Sequence, residues 1–150
     1  MHFSRKNQDK LLEQAKPLTG SAGWATDAVA FGAFRENETE PAALAVFQAF
    51  NGAQAELHFA LTSTGRMTRE IIGAICTLAF HPRALNLDRL WTNIADDNIP
   101  AQAAAMKVGF KFEYRKRGGF ADGKDAIVFS MARTGTHQAA AKHHDNEVVT

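Results

Sequence analysis

The chain has 150 residues, 45% of them hydrophobic and 22% charged, which suits one globular domain burying about 70% of its unfolded surface and excludes a disordered chain. A formal net charge of +1 gives no general attraction to nucleic acid or to an anionic membrane, and neither is expected as a partner. One cysteine, Cys76, excludes an internal disulfide. No apolar run is long enough for a membrane span and Met1 to Arg5 carries no signal-peptide pattern, so a cytoplasmic protein is expected.

In chain order, Met1 to Phe3 offers at most a very short strand. Ser4 to Ala15 reads as a charged, weakly amphipathic helix with Leu11, Leu12 and Ala15 as its apolar stripe, and Pro17 to Gly23 as a break. Val29 to Phe34 and Ala43 to Phe50 read as strands. Asn51-Gly52 then predicts a tight hairpin into Ala53 to Leu61, both turn residues taking positive φ, with Phe50 opposite Ala53 and Phe47 opposite Glu56. In that last strand Ala53, Ala55, Leu57, Phe59 and Leu61 point one way and Gln54, Glu56 and His58 the other. After the polar loop Thr62 to Thr68, Ile71, Ile72, Ile75, Cys76, Leu78 and Ala79 give a helix a broad apolar face, capped by Thr68 or Thr64 and stopped at His81-Pro82. Cys76 is expected to be a buried, inert thiol.

Leu90 to Ile94 alternates as a strand. Reached through a helical crossover, it should lie parallel to Ala53–Leu61. Asp97 or Asn98 can cap the next helix, which has Pro100 in its first turn and Gly109 at its end. Phe110, Phe112 and Tyr114 are expected on one face of the strand that follows, and Ala126 to Met131 is the last strand. Thr134 to Thr150 has no apolar period and reads as a mobile tail behind a single domain at 1–133. The fold class is α/β with a mixed sheet flanked by helices, its first strand short or missing.

Asn98, Ala101 three residues later, and Gly109-Phe110 preceded by Lys107 carry a resemblance to the GNAT superfamily, the acyl-CoA-dependent N-acetyltransferases. The resemblance runs from about Ala28 to Met131 and is nearest to short, divergent bacterial and phage members. It implies a GNAT-like fold, acetyl-CoA as co-substrate, and an amine acceptor on a small molecule or a protein. A phage-encoded member would work in the host cytoplasm. It also implies two parallel strands that splay apart around the pantetheine. The pyrophosphate would then meet a helix N-terminus, where free N–H groups and the helix dipole bind anions. By that alignment Thr64, Gly65, Arg66, Thr68, Arg69 and Asn98 would serve the cofactor. Arg69 and Ile71 stand where the family has small residues, and Ala105 stands where many members have a tyrosine that protonates the thiolate.

Acetyl transfer needs a neutral amine, so Glu56 and His58 are the candidate bases, and Trp91 and Asn93 the candidate lining of the substrate cleft. Trp24 and Phe34 are placed on the acceptor side. Asp96-Asp97 reads as an attractor of a cationic acceptor or as turn chemistry, and Arg115-Lys116-Arg117 as a phosphate contact or a solvated strand end. His137, His143 and His144 lack carboxylates at a fixed spacing, and no metal is expected. The rival reading is a degenerate GNAT fold without catalysis that binds a protein partner or forms a homodimer through its shortened sheet edge.

Overall fold

The computed structural model describes residues 1–62, 65, 66 and 68–133. Thr64, proposed for the cofactor, and the tail from Thr134 with its histidines lie outside the described residues. The order of elements is β1 His2–Ser4, α1 Gln8–Thr19, β2 Val29–Phe34, β3 Ala43–Asn51, β4 Gln54–Leu61, α2 Arg69–Phe80, β5 Arg89–Ala95, α3 Ile99–Val108, β6 Lys111–Lys116 and β7 Ala126–Ala132. All these strands share one sheet, ordered β1-β2-β3-β4-β5-β7-β6. The expected short first strand exists: three residues, paired antiparallel with β2. Helix α1 extends past its expected end and contains Pro17. In the last turn a proline forfeits one backbone bond, and the chain closes instead with Gly20 at φ 71° and the Ser21 N–H on the Lys16 carbonyl at 3.1 Å.

The sheet has two dressed faces. On one, α2 buries Ile71, Ala74, Leu78, Ala79 and Phe80 against Phe31, Ala45, Phe47, Leu57, Leu90 and Phe129. Each large side chain removed from water there contributes about 1.5–3 kcal/mol. On the other, α1 packs Leu11 and Ala15 on Ala30, Leu44 and Val46, with Trp24 alongside. Cys76 is buried on the α2 side, and desolvation pushes its thiol up to about 11, so it is un-ionised at neutral pH.

The hairpin register differs from the expected one. Asn51 pairs with Gln54, so the two-residue turn is Gly52-Ala53, and of these only Gly52 has a positive φ, 59°. Glycine first is the other favoured hairpin turn. A bulge between Gln48 and Asn51, with Ala49 at φ 53°, then shifts the register once more. The result is Phe47 opposite Leu57 and Gln48 opposite Glu56. The bulge is held from outside: the Asp27 carboxylate accepts from the N–H of Ala49 (3.0 Å) and of Phe50 (2.8 Å). The predicted alternation within β4 stands.

A second bulge, between Phe112 and Tyr114, corrects another expectation. Phe112 pairs with Phe129 and Tyr114 with Val128, so the two aromatic rings lie on opposite faces of the sheet. Phe110 is buried, whereas every residue of β6 is exposed.

Candidate functional site

Strands β4 and β5 are parallel neighbours, as the crossover requires, but their pairing covers only Gln54–Arg89, Ala55–Leu90 and Glu56–Trp91. Beyond Glu56 they diverge, and the Thr92 hydroxyl still reaches across, donating to the Leu57 carbonyl at 3.0 Å. The resulting groove has a volume of about 510 Å³ and runs between α2 and α3. Its walls include Leu57, Phe59, Leu61, Ile72, Thr92 and Ala101. Leu18 and Thr19, at the end of α1 on the opposite face, also line it, so the opening passes through the sheet. Helix α3 has no fully buried residue: Ala105 and Val108 pack on the core while only half-buried, and with Ala101 and Ala104 they line this groove.

The edge of β4 along the groove has open backbone groups. The Thr62 N–H bonds the Ala42 carbonyl, which fixes the even-numbered residues of β4 as the ones facing β3. Phe59 and Leu61 therefore turn their N–H and C=O groups toward the gap that β5 has left.

His58 lines the same groove. Its Nε2 is in hydrogen-bond contact with Glu56 Oε1, two residues back on the same face. The Trp24 ring meets the imidazole edge-on at 5.3 Å. Gln48 completes the cluster, its Nε2 lying 3.3 Å from Glu56 Oε1 and 3.2 Å from His58 Nε2. The hydrogen bond from His58 holds the Glu56 carboxyl below its ordinary value, against the desolvation that alone would raise it. Glu56 is thus a carboxylate at neutral pH.

A smaller cleft of about 270 Å³ opens on the Glu56 side of the sheet, lined by Gln54, Glu56, Trp91, Asn93, Tyr114 and Lys116. Asn93 borders both openings. The Trp91 indole donates to Gln54 Oε1 at 2.7 Å, and the Arg89 guanidinium lies 5.8 Å from the Trp91 ring. The structure thus brings Glu56, His58, Trp91 and Asn93 together around these two openings.

The remaining candidates are dispersed. Asn98 lines the groove and caps α3, its Oδ1 accepting from the Ala101 N–H at 3.2 Å. Arg66 and Thr68 instead line a separate cleft of about 320 Å³ with Met1, Arg35 and Glu70. Thr68 caps α2, accepting from the Ile71 N–H at 3.2 Å. Arg69 is exposed in the first turn of α2. A side chain at Gly65 would collide with the Ala42 carbonyl, so close packing against the start of β3 requires this glycine. Phe34 stacks on His2 at the first sheet edge. Asp96 and Asp97 are already paired, with Arg115 (3.0 Å) and Lys124 (2.9 Å) respectively. Gln48 was not singled out from the sequence; only the register set by the bulge puts it opposite Glu56.

No family model matches the chain, and no curated protein matches it. Solved structures do. A chimera of the Vibrio cholerae spermidine N-acetyltransferase SpeG and hSSAT superposes with a TM-score of 0.65 at 16% identity, over 87% of this chain and 80% of its own. Mutant forms of the Vibrio cholerae spermidine/spermine N-acetyltransferase SpeG give 0.64 at 16% identity, over 81% and 73%. A putative ribosomal-protein-serine acetyltransferase from Vibrio cholerae gives 0.58 at 24% identity, over 71% of this chain and 65% of that one.

Proposed function

We propose that this chain, whose fold is that of the GNAT N-acetyltransferases, transfers an acetyl group from acetyl-CoA to the amine of a small molecule or protein. The observation that carries this reading is the early end of the β4–β5 pairing. It opens a 510 Å³ passage through the sheet with His58 on its wall and Glu56 beside it.

The residues present fit acetyl-CoA. The groove has the apolar wall and small side chains that a narrow pantetheine arm needs. The backbone groups of Phe59 and Leu61 can pair with its amides in the manner of an added strand. Asn98 and the N-terminal amides of α2, with Arg66 and Arg69 near them, are the polar groups available to its polar end. Ile71, at a position where the family has a small residue, turns into the core and so puts no bulk at that surface.

When bound, acetyl-CoA supplies the thioester carbonyl that the amine attacks. His58 accepts the proton the amine loses, at Nδ1, the ring nitrogen with no hydrogen-bond partner among the described residues. Glu56 accepts the Nε2–H, holds the ring and offsets the imidazolium charge. That imidazolium is then a proton source for the leaving thiolate, a task Ala105 has no group to perform. Trp91 and Asn93 border the cleft by which the acceptor reaches this point. The neighbouring spermidine N-acetyltransferases also acetylate an amine, which supports the choice of acceptor chemistry.

The test is incubation with acetyl-CoA and a panel of polyamines, amino acids and peptides, reading free CoA thiol and the acetylated amine by mass spectrometry. Turnover with at least one amine is expected. No release above the protein-free rate with any of them would defeat the proposal.

A further inference from the structure

We infer that the acceptor is a small amine that also carries a carboxylate, an amino acid rather than a polyamine, and that Lys116 selects it; this rests on the acetyl-transfer reading above. The 270 Å³ cleft on the Glu56 side is the space open to the body of the acceptor, because Asn93 borders both this cleft and the groove that His58 lines. Its two charged lining residues are Glu56 and Lys116. Glu56 is committed to His58 and Gln48. Lys116 is not committed: its ammonium has no hydrogen-bond or ion-pair partner among the described residues. Arg89 and Glu113 offset one another through the Ser130 hydroxyl, which accepts from Arg89 Nη1 at 2.8 Å and donates to Glu113 Oε1 at 2.7 Å. The charge of Lys116 is therefore the one the cleft leaves for a ligand. In the reaction the amine attacks as the free base and its proton passes to His58, so the Glu56–His58 pair becomes neutral as a whole. A second ammonium on the acceptor, as in a polyamine, would then face Lys116 with no offsetting anion. A carboxylate would pair with it instead. Trp91, its indole held by Gln54 at 2.7 Å, and Tyr114 give the cleft flat walls for the side chain of such an acid.

The bulge in β6 is what delivers Lys116 to the cleft. Without the extra residue between Phe112 and Tyr114, the pairing would continue in step from Phe112–Phe129, and Tyr114 and Lys116 would turn to the α2 face of the sheet. With it, Tyr114 stands opposite Val128 and Lys116 opposite Ala126, on the face that Glu56 and Trp91 share. Arg115 turns the other way and is bound by Asp96 and Asp125. Of the Arg115-Lys116-Arg117 run, the bulge thus spends Arg115 on structure and leaves Lys116 to the cleft.

The experiment compares acceptors that differ in the carboxylate: L-phenylalanine, its amide, phenethylamine and spermidine, with wild type, Lys116→Met and Lys116→Glu in the full chain. Lys116 is exposed on an edge strand, so both variants should fold. Wild type should favour phenylalanine over each of the others in kcat/KM by about 10-fold, the scale of one hydrogen bond to a charged group. The amide's amine is less basic and more often neutral, a bias that runs against this result. Lys116→Met should raise KM for phenylalanine about 10-fold, leave kcat and KM for acetyl-CoA little changed, and abolish the preference. Lys116→Glu should turn the preference toward spermidine. Spermidine or phenethylamine ahead of phenylalanine in wild type would overturn the inference, as would an unchanged preference in Lys116→Met. Absence of turnover with all amines would instead defeat the acetyl-transfer reading. Binding then decides the role of Lys116: N-acetyl-L-phenylalanine, but not its amide, should shift the Trp91 indole N–H resonance of wild type and not of Lys116→Met, and no shift at millimolar ligand would overturn the inference.

Discussion

Glu56 sits too close to His58 to act as an independent base. Its carboxyl is held below its ordinary value of about 4.5 by the His58 hydrogen bond, so it binds a proton poorly near neutral pH and serves better as the partner of an imidazole. Glu56→Gln should lower turnover by roughly 10²-fold while leaving acetyl-CoA affinity unchanged, as stopped-flow and equilibrium titration would report. The same depression has a consequence for stability. Folded Glu56 holds fewer protons than unfolded Glu56, so its stabilising contribution is present above the ordinary value and lost as pH falls through the lower folded one. Urea melts of wild type and Glu56→Gln should therefore differ at pH 7 and converge as the pH falls below about 4.5. A difference that grew toward acid would contradict the assigned direction. The pairing of Glu56 with His58 was legible in the sequence, because strand alternation alone puts residues two apart on one face. The third member was not, because Gln48 depends on a register that the Asn-Gly signal misplaced by a residue.

The hairpin shows why an element can be recognised while its register escapes. Asn51-Gly52 marks the turn correctly, but glycine works equally well as the first residue of a two-residue loop. That choice, with a bulge behind it, moves every cross-strand partner. Nothing local to Ala49 announces a bulge; its stabiliser, Asp27, lies 22 residues away. Asp27→Ala should expose this dependence. Removing the acceptor of two backbone N–H groups should cost about 1–3 kcal/mol in chemical denaturation and loosen the Gln48–Glu56–His58 cluster. Turnover should fall several-fold more than Tm alone would suggest. Equal stability and activity would mean that the bulge holds itself. Strand β6 fails in the same manner at lower stakes, its bulge placing Phe112 and Tyr114 on opposite faces. The α3 unit, by contrast, was readable but for the choice between Asp97 and Asn98 as its cap, because cap, proline and terminal glycine are each local signals: Asn98 caps it and Gly109, at φ 113°, ends it.

At the scale of the whole molecule, a sheet is opened by stopping one parallel pairing after three residue pairs. The parallel place of β5 beside β4 followed from the sequence through the crossover, whereas the insertion of β7 between β5 and β6 was not foreseen, and the splay itself came only with the resemblance, since no residue pattern in β4 or β5 signals where pairing ends. The opening is bounded by α3, whose alanines leave it wide. Ala104→Trp, at an exposed position on that wall, should fill the groove, weaken acetyl-CoA by at least about 10-fold, and shift Tm little, because the helix packs no core residue there. The most direct measurement is titration calorimetry of the wild-type chain with acetyl-CoA. The groove, the open edge of β4 and the polar groups near α2 predict binding at micromolar levels, about −8 kcal/mol. No heat at millimolar ligand, with the protein demonstrably folded, would contradict the enzyme reading and leave a protein of this fold that acts by binding a partner.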